Sequence, residues 1–176
     1  MLRHGKCLWF AVATLTSGAI AASEAPEVLS RIVAELDSLH RVTDVPHPMA
    51  DSTAALCRPV HNTNIHEGSP FGPAYCHVYV TTEAKEPMAS GEGHYPAGAV
   101  IVKAKLESKE SRDPVLYTVM RKMEKGYDAE HGDWEYAVLD GPNKRVLSRG
   151  RIDSCIECHT QYASTDYVTR AYVKSK

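Results

Sequence analysis

The stretch Ala99-Val100-Ile101-Val102-Lys103-Ala104-Lys105-Leu106 decides how this chain is built. Val100, Val102, Ala104 and Leu106 fall on one face of an extended strand, and Ile101, Lys103 and Lys105 on the other. Taken alone, this period of two predicts a half-buried strand with Lys103, on the face it shares with Ile101 and Lys105, turned to solvent. The same alternation appears upstream, where Tyr75, His77 and Tyr79 interleave with Cys76, Val78 and Val80. Residues 82–90 read as a short helical connection interrupted by Pro87, and 91–98 as a turn. Downstream, 107–114 is a charged loop. Residues 115–123 form a third extended run, for which a helix is the alternative. Residues 134–139 form a fourth, and Asp140-Gly141-Pro142-Asn143 turns the chain into a fifth at 145–148. Neighbouring strands joined by short connections favour antiparallel pairing. The expected class is α+β: a mainly antiparallel β-sheet with flanking helices and a C-terminal helix.

Before the sheet, Val28, Leu29, Ile32, Val33, Leu36 and Leu39 recur at helical spacing and predict a helix over 27–42, with Ser23 as cap and Pro26 in its first turn. Residues 43–74 are rich in Pro, Gly, Asn, Ser and His and predict a long irregular segment, with one short turn at 52–56. His47, His61 and His66 lie there, at spacings that match no metal-ligand template. The first residues read as an export signal over 1–22. Arg3 and Lys6 precede an apolar run, and Ala19-Ile20-Ala21 is a small-x-small cleavage site. The run is shorter than the roughly 20 residues a membrane span needs, so no membrane span is expected in the mature chain. Export makes the periplasm the expected compartment. Residues 23–73 and 74–176 together are expected to form one domain.

The densest chemistry sits near the C-terminus, in Cys155-Ile156-Glu157-Cys158-His159. Two cysteines three apart with a histidine directly after is the attachment pattern of c-type haem. Each thiol adds to one porphyrin vinyl group, and the imidazole supplies the axial ligand to the iron. Asp153 and Ser154 suit the N-cap of a helix carrying all three groups. Half a zinc site and a redox dithiol are the competing readings. A second ligand pair is missing for the first, and no βαβ pattern surrounds the motif for the second. One motif implies one haem c per chain.

Cys57 and Cys76 are the mature cysteines outside the motif, and in an exported protein they are expected to pair. Closing that loop would stabilise by about 3 kcal/mol in the chain-entropy account. The formal net charge is −2, and losing Arg3 and Lys6 with the signal leaves −4. That mild acidity argues against a nucleic-acid partner.

Four blocks, in order, resemble cytochrome P-460 and its relative cytochrome c′-beta. They are Tyr95-Pro96-Ala97-Gly98-Ala99-Val100-Ile101-Val102-Lys103, Gly132-Asp133-Trp134-Glu135-Tyr136, the haem motif, and Thr165-Asp166-Tyr167-Val168-Thr169-Arg170. The resemblance covers residues 74–173. It implies a homodimer with a five-coordinate haem, histidine on one side and the other side open. Cytochrome P-460 members oxidise hydroxylamine and carry a lysine cross-link to a porphyrin meso carbon. The c′-beta members lack that bond and bind nitric oxide or carbon monoxide. Lys103 matches the cross-linking position, which requires the haem to cover the Ile101–Lys103 face. Beside haem, desolvation would favour its neutral amine.

By this resemblance the chain is a hydroxylamine oxidoreductase passing electrons to a periplasmic acceptor cytochrome, or a nitric oxide trap or sensor. A plain electron carrier would need a sixth ligand, for which Met49, Met88, Met120 and Met123 are available without a signature. Phe71 is either a distal cap or loop packing, Trp134 either core or porphyrin edge. Arg149 and Arg151 either pair with haem propionates or face solvent. No carboxylate is placed over the iron. Asp133 and Glu135 are expected beside Trp134.

Overall fold

The computed structural model describes residues 18–49 and 75–173 of the protein. Helix α1 (Gly18–Ala34) leads through a 3-10 turn (Leu36–Ser38) to two short strands, β1 (His40–Arg41) and β2 (His47–Pro48). Then follow β3 (Tyr75–Val80), α2 (Thr82–Ser90), β4 (Val100–Leu106), β5 (Leu116–Lys122), β6 (Trp134–Asp140), β7 (Val146–Gly150) and α3 (Asp153–Thr160). The strands form one sheet in the order β1-β3-β4-β5-β6-β7, with β2 beside β1 on the same edge of β3. Every pairing is antiparallel. The fold class expected from sequence is the one observed.

Both faces of the sheet are covered, which the strand pattern alone did not reveal. On one face, Leu29 and Val33 of α1 pack against Val100, Val102, Ala104, Tyr117, Val119, Ala137 and Leu139. Full burial of a Leu or Val side chain is worth about 1.5–3 kcal/mol, so this seam suffices to dock the helix. On the other face, Val78, Val80, Ile101, Met120 and Tyr136 meet Ala84 and Met88 of α2 and Val168 and Tyr172 from the chain after α3. Here the solvent-facing reading of Lys103 fails. Lys105 is fully buried and Lys103 half-buried, on the face that this second layer covers.

The first helix departs from its expected span. It starts at Gly18 and ends at Ala34, with Pro26 inside it. Residues beyond Ala34 leave the helix because His40 and Arg41 pair with Val80 and Tyr79 on the edge of β3. Leu36 and Leu39 still pack on the α1 face of the sheet, so the apolar periodicity ran past the helix end. Within 115–123 the chain forms strand β5 (Leu116–Lys122), paired on both sides, not the alternative helix. Pro87 sits inside α2 without ending it. Arg170 closes that helix, donating from Nε to the Met88 carbonyl (3.1 Å) and from Nη2 to that of Ala89 (2.6 Å). The irregular segment contributes β2. Phe71 and Cys57, with the expected Cys57–Cys76 disulfide, lie outside the described residues, as do His61 and His66. Cys76 itself is buried in β3. Among the described residues, no helix is long and apolar enough to cross a membrane.

Candidate haem site

The site is built where α3 lies against the second face of the sheet. The helix begins with Ile152 as N-cap, with no side-chain cap bond. Asp153 and Ser154 therefore belong to its first turn, not to the cap. Asp153 there complements the helix dipole. Cys155, Cys158 and His159 all line one cavity, whose other wall includes Ile101, Lys103, Met120 and Tyr136 from β4, β5 and β6, with Tyr172. The register places these sheet residues side by side: Ile101 opposite Met120, and Met120 opposite Tyr136.

His159 is held by one short bond. Its Nδ1 lies 2.7 Å from the Tyr167 carbonyl. A carbonyl only accepts, so Nδ1 carries the proton and Nε2 keeps its lone pair. Burial pushes the imidazole down to about 4, against the raising effect of the Tyr167 bond, and the charge of Lys103 lowers it further. His159 is thus neutral at ordinary pH, the form that binds a metal. Its ring lies 5.4 Å from that of Tyr136 and 6.3 Å from that of Tyr162.

Three further groups shape the cavity. Lys103 Nζ lies 5.8 Å from the centre of the Tyr172 ring, whose far neighbour is His47 at 6.0 Å. The Tyr136 hydroxyl is buried and has no hydrogen-bond partner among the described residues. Such an orphaned group in a cavity wall is offered to whatever fills the cavity. Met120 is the methionine that lines the space. Met88 instead lies in the core beneath Tyr95. Among the described residues, no carboxylate lines the cavity.

These residues fit a haem. Two thiols three apart and an imidazole with a free Nε2 stand on one helix, facing an apolar wall that carries one unpartnered hydroxyl. Among the described residues, no group of three His, Cys, Asp or Glu side chains is placed to hold a metal ion by itself.

The remaining sequence candidates lie elsewhere. Trp134 is fully buried but does not line the cavity. Its indole donates to the Asp166 carbonyl at 2.8 Å and packs edge-on to Tyr95 at 5.4 Å. It belongs to the core cluster on this face of the sheet. Glu135 points to the α1 face by strand alternation. There it pairs with Arg121 at 2.8 Å, while Arg149 approaches it at 3.9 Å. Asp133 pins the loop before β6 by accepting from the Gly126 and Asp128 amides. Arg151 is exposed and outside the cavity lining. Tyr136 and Tyr172 went unassigned in the sequence. Tyr136 stands in one of the matched blocks and Tyr172 just past the last of them, but only the fold shows that they line one cavity.

A sheet-mounted cavity closed by a Cys-x-x-Cys-His helix defines a class: c-type cytochromes built on antiparallel β-structure. The chain matches the family model Cytochrome P460 over residues 56–170, and it belongs to that family. It is accordingly a haem c cytochrome. A search of curated proteins found no match.

Proposed function

We propose that the protein is an exported, periplasmic cytochrome that oxidises hydroxylamine, with one haem attached through Cys155 and Cys158 and His159 as axial ligand. One observation carries this reading: Lys103, from the middle of β4, lines the same cavity as Cys155, Cys158 and His159. When bound, the haem supplies a redox-active iron that takes a nitrogen ligand and passes electrons on singly. The chain does the rest. The thiols of Cys155 and Cys158 anchor the porphyrin on α3. Nε2 of His159 ligates, oriented by the Tyr167 carbonyl. The Lys103 amine is the group for the cross-link to a meso carbon. Ile101 and Met120 keep water from that wall of the site. Electrons pass to a periplasmic acceptor cytochrome, and the working unit is a homodimer.

One observation favours a second reading, nitric oxide binding without turnover. Hydroxylamine oxidation needs a proton acceptor near the substrate nitrogen, and among the described residues no carboxylate lines the cavity. An absorption spectrum with an intact mass of the holoprotein separates the two. Under the enzyme reading, the ferrous band lies well to the red of an ordinary c-type haem. Lys103→Ala then restores the ordinary band and abolishes hydroxylamine oxidation, while Lys105→Ala leaves both intact. An ordinary wild-type spectrum with tight nitric oxide binding and no turnover would establish the second reading instead.

A further inference from the structure

Asp166 and Tyr167 are consecutive non-glycine residues with φ of 52° and 65°. The left-handed region costs an L-residue about 1–2 kcal/mol. Two in succession persist only where their surroundings hold them. Here the hold is unusually complete. The Asp166 carboxylate is buried. It accepts from Lys122 Nζ at 2.6 and 2.8 Å and from the Tyr95 amide at 2.8 Å. The Asp166 carbonyl accepts from the Trp134 indole at 2.8 Å. Tyr167 donates its amide to the Tyr162 carbonyl and its hydroxyl to the Glu130 carbonyl, each at 2.8 Å. The product of this strain is one aimed group, the Tyr167 carbonyl, 2.7 Å from His159 Nδ1.

We propose that Asp166 is a positioning residue for the haem: clamped by Lys122, Tyr95 and Trp134, it fixes the Asp166–Tyr167 turn so that the Tyr167 carbonyl sets the tautomer and donor strength of His159. A firmly held acceptor on Nδ1 raises the basicity of Nε2. It thereby favours ferric over ferrous iron and strengthens the iron–imidazole bond. Asp166 is not among the residues that line the cavity; it acts through a carbonyl one residue away. The inference rests on His159 as the axial ligand. It assigns work to a block that the resemblance marked without explaining.

A purely architectural role for the same contacts would lower stability without reaching the iron, so the test reads the iron. Resonance Raman spectra of the ferrous holoprotein report the iron–imidazole vibration, and a redox titration reports the midpoint potential. In Asp166→Asn the band should move to lower frequency. The preference for ferric iron should weaken about tenfold, the low end of outer-shell effects, raising the potential by about 59 mV for one electron. Lys122→Gln, which loosens the clamp but keeps Asp166, should shift both the same way by less. It decides the matter should Asp166→Asn not accumulate. Glu135→Gln breaks a buried ion pair with Arg121 on the opposite face and should lose stability with band and potential unmoved. If Asp166→Asn or Lys122→Gln behaves like Glu135→Gln, the positioning role is overturned. A wild type with no iron–imidazole band overturns the axial assignment itself, and the positioning role with it.

Discussion

Replacing Gly132 by alanine should be among the costliest single-methyl additions in this protein. Gly132 has φ of 73°, and a Cβ there would fall 2.5 Å from Cδ2 of the Tyr167 ring, 2.8 Å from Cε2 and 3.1 Å from Asp166 Oδ1. Two costs add. The left-handed backbone costs alanine about 1–2 kcal/mol, and forcing a group into a filled space costs about 1–3 kcal/mol. The expected loss is about 2–5 kcal/mol, a large part of the about 5–15 kcal/mol that holds a domain together. Gly98 supplies the comparison: its φ is 88°, and nothing lies within 4 Å of a Cβ built there. Gly98→Ala should therefore cost only the backbone share, about 1–2 kcal/mol. Urea unfolding of both holoproteins, followed by far-ultraviolet circular dichroism, gives the two losses at unchanged slope. Because Gly132→Ala pushes on Tyr167, it should also perturb the haem spectrum, and Gly98→Ala should not. Equal losses in the two variants, or a silent Gly132→Ala, would refute the argument that close packing of this loop on Tyr167 holds the turn.

Other outcomes follow from the same geometry. Cys155→Ala combined with Cys158→Ala should leave no haem that survives denaturing electrophoresis except through Lys103, and haem staining checks it. The resting iron should be high-spin by electron paramagnetic resonance and unchanged by Met120→Leu. A low-spin signal lost in Met120→Leu would make Met120 the sixth ligand and the protein an electron carrier. His77 has its pKa lowered below 6.5, chiefly by burial, with the charge of Arg41 adding to it. Below 6.5 the unfolded chain then binds more protons at this site than the folded one, so stability falls as pH drops through that range. In His77→Asn, urea midpoints measured from pH 7.5 downward should fall less steeply.

The strands were readable because alternation is a local consequence of the pleat. Residues 75–80 were placed without error, and the ends of β4 to β7 moved by only a residue or two. What alternation does not encode is what lies over each face. The face that Lys103 shares with Lys105 was read as solvent-facing because a lysine ordinarily is. Lys105 is in fact fully buried, and a strand's alternation carries no information about what covers that face. The haem motif stands out for a different reason: its two thiols and imidazole fall within five consecutive residues. The rest of the cavity has no such local constraint. Tyr136 and Tyr172 reach it from separate elements. Trp134, the most conspicuous aromatic, was drawn to the core instead by the Asp166 carbonyl. Asp166 and Tyr167 were quoted as part of a block, but no pattern in Thr-Asp-Tyr-Val announces two left-handed residues in succession.

The way the sheet is connected bears on the order in which this protein comes together. From β3 to β7 each strand pairs with its successor along the chain, so those ladders close short loops and carry little entropic penalty. The bonds that seat α3 and the residues after it are of another kind. Tyr95 reaches Asp166 across 71 residues, and Arg170 reaches Ala89 across 81 and Met88 across 82. Contacts of such separation form late and open early relative to the hairpins they rest on. The sheet should thus assemble first as a template, and the segment that carries the Cys-x-x-Cys-His motif should dock late, its amides exchanging with solvent sooner than those of β4 and β5. Sheet assembly and docking of the segment that carries the haem motif should in this way be kinetically distinct events.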